Sequence, residues 1–138
     1  MNKGGSMNKE DVRNWVNHGP DLNLLKLTEQ LGGELATGSG GRLTTSQIRQ
    51  VFTKLKAIEA KGFDLSEQRL AFMMLKPFLA YASGRDSKNN ALKTFKNTMT
   101  WGIDAVLEGD SETETQRFNH FCKLFEAVLA YHRAHGGK

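Results

Sequence analysis

The chain has 138 residues, 38% hydrophobic and 25% charged, with a formal net charge of +4, which suits one globular domain and is too short for two independent cores. No apolar run approaches the roughly 20 residues that span a bilayer, and no secretory apolar segment opens the chain. A single cysteine, Cys122, excludes an internal disulfide framework and fits a reducing cytoplasm.

Residues 1–20 are polar, carry Gly4, Gly5 and Gly19, and end at Pro20; they read as a leader set apart from the fold. Residues 21–31 predict a short helix with Asp21 as cap, Leu24, Leu27 and Leu31 on one stripe and Leu25 beside it. The glycine-rich run that follows reads as a flexible connector, so residues 1–42 are expected to be a flexible N-terminal segment ahead of a helical domain over 43–138.

From Leu43 the pattern is helical. Thr44 and Gln47 form a capping box, and Ile48, Val51, Phe52, Leu55 and Ile58 recur at helical spacing until Gly62. A second helix is predicted from Asp64 to Gly84, with Leu70, Met74, Pro77, Phe78 and Tyr81 as its main apolar stripe and Phe72 and Leu79 on a second face. Pro77 should kink it, because proline lacks the amide donor and clashes with the carbonyl of Met73. A third helix, Lys88 to Glu108, aligns Leu92, Phe95, Met99, Ile103 and Val106, with Trp101 pointing away from them. A fourth, Thr113 to His135, aligns Phe118, Phe121, Phe125, Val128, Leu129 and His132. No period-2 strand appears, so the fold class is all-α: a compact bundle of four main helices plus a weaker N-terminal one.

A net charge of +4 matters only if the basic groups share a face. On the first main helix Arg49 and Lys56 lie together beside the apolar stripe. On the second, Arg69 and Lys76 make a face whose only charges are positive. Arg85 follows the Gly84 terminator, and Arg42 precedes the first helix. Exposed helices normally mix signs, so two cation-only faces point to a surface that tracks phosphates, against the plainer alternative of a solvated face.

Three segments carry a resemblance. LTTSQIRQV (43–51), LKPFLAYASGRD (75–86) and FEAVLAYHRAHGG (125–137) occur in the order and at the spacing of the recurring motifs of the small subunit of type III-A CRISPR–Cas effector complexes. The likeness covers 43 to 137 and leaves the first 42 residues outside. Leu129 stands inserted in the last motif.

The resemblance implies a non-catalytic helical subunit, cytoplasmic and present in several copies, stacked beside the guide-binding backbone subunits. It implies guide RNA, target RNA, and the backbone and large subunits as partners. Self-association is expected as well, and the sequence leaves open whether the isolated protein is a dimer. By motif, Arg49 and Arg85 are the expected RNA contacts. Lys56, Arg69 and Lys76 join them on the facial argument alone. Arginine forks suit phosphate oxygens, and a subunit that serves any guide must not read bases.

The remaining singular residues read as structural. Tyr81 and Tyr131 are expected as packed rings and Cys122 as a small buried hydrophobe. His132 and His135 are near enough to share a metal, but no carboxylate or cysteine stands at ligand spacing on that face. Trp101 is either covered by the N-terminal segment or part of a subunit contact. No cofactor or metal is expected, and no phosphate-binding loop, acidic pair or nucleophile–base pair supports an enzyme. The alternatives are a helical DNA-binding regulator, since TTSQIRQVF could open a recognition helix, and a pure protein-interaction module.

Overall fold

A computed structural model describes residues 7–38 and 40–138; the expectations for residues 1–6 and for Ser39 in the connector lie outside this range. Among the described residues no strand forms. The helices are α1 (Lys9–His18), α2 (Leu22–Thr37), α3 (Thr45–Lys61), α4 (Ser66–Met73), α5 (Leu75–Arg85), α6 (Asn90–Leu107) and α7 (Glu114–Ala134), with a 3-10 turn at Ser111–Thr113. The all-α class stands.

Helix starts follow cap chemistry. Thr44 Oγ1 accepts from the Gln47 amide at 3.1 Å, and Gln47 Oε1 accepts from the Thr44 amide at 2.8 Å, which closes the capping box at α3. Asp21 caps α2 and Asn89 caps α6. Asn8 and Asp11 form a second capping box at α1.

The N-terminal segment corrects the expectation of a flexible leader. Val12, Trp15 and Val16 of α1 are buried in the same core as Phe95 and Phe121. Trp15 Nε1 donates to the His120 carbonyl at 2.8 Å, and His120 Nδ1 donates to the Val16 carbonyl at 2.8 Å, so two reciprocal bonds pin α1 to α7. Met7 is also buried.

The predicted helix at 21–31 continues six residues further, through Gly32 and Gly33. A Cβ on Gly32 would stand 2.6 Å from Tyr131 Cβ. Glycine is there for the close approach of α2 to α7, not for flexibility. The described part of the connector is tied down as well. The Leu43 amide donates to the Leu35 carbonyl and the Asn90 amide to the Gly40 carbonyl.

The predicted second helix breaks at Met74 into α4 and α5, one turn ahead of Pro77. Proline then sits in the first turn of α5, where a missing amide donor costs little. The expected main stripe is not the buried one. Phe72, Leu75, Leu79 and Ser83 face inward, while Leu70, Met74 and Tyr81 are 56%, 57% and 67% exposed. Phe72 decides the orientation. Its ring meets Phe63, Phe118 and Phe121 edge-on at 5.2–5.4 Å, a geometry favoured by the ring quadrupoles.

Candidate nucleic-acid interface

The seven arginines of the chain divide between two ends of the bundle. At the end where α6 passes into α7, each arginine has a partner. Arg117 is buried. It donates from Nε and Nη2 to the Val106 carbonyl at 3.0 and 2.8 Å, and from Nη1 to the Asp110 carbonyl and Thr113 Oγ1. It thereby closes the C-terminus of α6, whose last carbonyls lack helical donors. Arg69 of α4 holds Glu114 through two parallel bonds of 2.8 and 2.9 Å, and hydrogen bonding to that carboxylate raises its pKa. Arg13 pairs with Glu108 at 3.2 Å.

The opposite end gathers the start of α3, the turn from α5 to α6, and the close of α7. Asn89 Nδ2 donates to the Arg42 carbonyl at 3.0 Å, which joins the segment before α3 to the turn before α6. His132 Nε2 donates to the Leu43 carbonyl at 2.6 Å, which joins the same segment to α7. Around these bonds Arg42, Arg49, Arg85 and Arg133 are all exposed, and none has a carboxylate partner within salt-bridge distance among the described residues. Lys88 adds an exposed ammonium in the turn itself.

Among the described residues Arg85 makes no hydrogen bond to the closing carbonyls of α5, so it does not cap that helix. Its guanidinium lies 5.7 Å from the Tyr81 ring centroid, a cation–π geometry that orients the fork without using up its donors. Tyr81 is therefore an exposed platform, not the packed ring expected. Arg85 lines a hollow of about 300 Å³ with Gln47, Gln50, Ala82 and Asp86. Arg49 lies around the helix from that hollow, about 200° beyond Gln47 at 100° per residue.

The structure thus separates the five expected RNA contacts. Arg49 and Arg85 stand at the unpaired end. Arg69 lies at the far end with its fork filled by Glu114. Lys76 bonds Asp104 of α6 at 2.5 Å. Lys56 bonds Glu59 at 2.6 Å and approaches Glu126 of α7 at 3.6 Å; the Glu59 hydrogen bond raises its pKa. The cation-only face of α4–α5 holds for those helices alone and is neutralised in three dimensions by Glu114 and Asp104, whereas on α3 Lys56 already pairs with Glu59 of its own helix. Arg133 joins the unpaired group without having been singled out in the sequence; the fold brings its neighbour His132 onto the Leu43 carbonyl.

The other singular residues are quickly placed. Cys122 is buried, and burial pushes its thiol up to about 12, so it is not a nucleophile near neutral pH. His132 is buried with a backbone partner. Trp101 is half-buried against the core. Among the described residues no group of three or more His, Cys, Asp or Glu is placed to hold a metal ion, and no helix is long and apolar enough to cross a membrane. Residues 38–44 separate α2 from α3, longer than the three- or four-residue turn of a helix-turn-helix.

The fold and this surface define a small all-α protein with one arginine-rich end. Its family follows from comparison with known proteins: the model of the family described as Csm2 Type III-A matches residues 20–138, and the chain belongs to that family, the small subunits of type III-A Csm complexes. The match reaches back through α2, beyond the three motifs, and leaves α1 outside. No curated protein and no solved structure matches the chain.

Proposed function

We propose that this subunit of a type III-A CRISPR–Cas complex contacts the phosphates of guide and target RNA through Arg42, Arg49, Arg85 and Arg133. The observation that carries the reading is the unpaired state of these four arginines at one end, while the arginines of the other end are bonded. An exposed guanidinium with free donors suits phosphate oxygens. Contacts of that kind fix position without reading sequence, as a subunit serving any guide requires. Lys56, Arg69 and Lys76 are assigned no phosphate contact, since binding there would first break an existing ion pair. The role is non-catalytic and cytoplasmic, with several copies stacked along the backbone subunits.

Titration of the purified protein with single-stranded and duplex RNA over a salt series tests the reading. Arg49→Ala and Arg85→Ala should each weaken binding to unrelated sequences alike and shallow the log–log salt slope by roughly 0.7–0.9 per lost phosphate contact. Unchanged affinity and slope in both variants would remove these residues from the interface.

A further inference from the structure

The expected inner stripe of the second helix lies outside, and its position has a consequence. Among the described residues the exposed large hydrophobics are Leu65, Leu70, Met73, Met74 and Tyr81, all within one stretch, and Leu22 on α2. Between α3 and the α4–α5 pair runs a groove of about 610 Å³, floored by Ile58, Leu75, Pro77 and Phe78, with Met74 and Tyr81 at its edge. No carboxylate lines it. Among the described residues its one charge is Lys54, whose ammonium lies 4.9 Å from the Phe78 ring centroid without a carboxylate partner. Arg85 over Tyr81 continues the same pattern beyond the groove.

We infer that this groove docks an amphipathic helix of another protein, one with an apolar stripe flanked by carboxylates. The shape fits a helix-in-groove contact. The lining runs from Lys54 to Ile58 on α3 and from Gln68 to Tyr81 across α4 and α5, enough to seat about three turns of helix. The charge fits an acidic partner, because Lys54 stands on an aromatic floor with no internal anion. A second copy is a poor occupant. An isologous contact would set Lys54 against a groove of the same sign, and outside this stretch Leu22 is the only exposed large hydrophobic among the described residues, which is not a three-turn stripe. The inference does not rest on RNA binding at the arginine end.

The test uses the full chain and two fluorescent synthetic helices that share one leucine stripe, one flanked by glutamates and the other by lysines. The wild-type protein should bind the glutamate helix at least about tenfold more tightly than the lysine helix. Lys54→Glu should reverse that preference. Met74→Glu should abolish binding of both while leaving the melting temperature unchanged, since Met74 is largely exposed. Equal affinity for the two helices, or a preference untouched by Lys54→Glu, overturns the inference. A concentration-dependent dimer in sedimentation that Met74→Glu breaks would make a second copy the occupant, and weakened RNA binding in Met74→Glu would make it RNA; either result also overturns it.

Discussion

The two ends of this bundle use the same side chain in opposite ways. At the α6–α7 corner, arginine is cement: Arg117 closes α6 from a buried position, and Arg69 and Arg13 tie α4 and α1 to carboxylates on Glu114 and Glu108. At the other end Arg42, Arg49, Arg85 and Arg133 have no such partner and face solvent. A guanidinium whose donors are filled has little left to offer a phosphate; one with open donors has all of it. Charge counting cannot separate these cases, and the pattern of partners does.

The sharpest way to break the cemented end is to unpin α1. Trp15→Ala removes a fully buried ring and its bond to the His120 carbonyl, and should cost about 4 kcal/mol in urea unfolding. If α1 were a dispensable leader, the loss would be close to zero. Arg117→Ala leaves the Val106 and Asp110 carbonyls short of donors and should cost about 3 kcal/mol by the same measurement, with RNA affinity retained wherever the variant is folded.

Buried Cys122 gives a pH-dependent contrast inside the core. Its folded pKa, about 12, lies above the ordinary 9.0 of an exposed thiol, so the unfolded chain loses that proton first. The contribution is fully present below pH 9 and is lost as pH rises toward 12, lowering stability on the alkaline side. Thiol labelling should proceed only on unfolding below pH 9. Rapid labelling of the native protein would contradict the burial. The smallest effect belongs to Arg69→Ala. Its ion pair with Glu114 is partly exposed, and its loss should cost about 1 kcal/mol or less without weakening RNA binding.

Much of the fold was legible where local chemistry acts alone. The capping box at Thr44, the Asp21 cap and the inward stripes of α3, α6 and α7 follow from nearest neighbours along a helix. What failed depended on other helices. Gly32 and Gly33 look like breakers, yet inside α2 the backbone of α7 passes Gly32 at contact distance and the His135 ring crowds Gly33. Met74 and Phe72 offered two stripes of equal spacing, and the choice was made by aromatic rings, two of them more than forty residues away. The candidate site divides in the same manner. Arg49 and Arg85 were found from motifs, and the fold leaves them unpaired. Arg69 and Lys76 looked free because their carboxylate partners, Glu114 and Asp104, are distant in the chain.

The most direct measurement compares two double variants in one RNA titration over a salt series. Arg49→Ala with Arg85→Ala and Arg13→Ala with Arg69→Ala remove the same two charges, from the open end and the cemented end respectively. The first pair should shallow the salt slope by roughly 1.4–1.8, at 0.7–0.9 for each contact, and the second should leave it at the wild-type value. Equal losses from both pairs would mean that RNA responds to net charge alone, and the distinction between the two ends would fall.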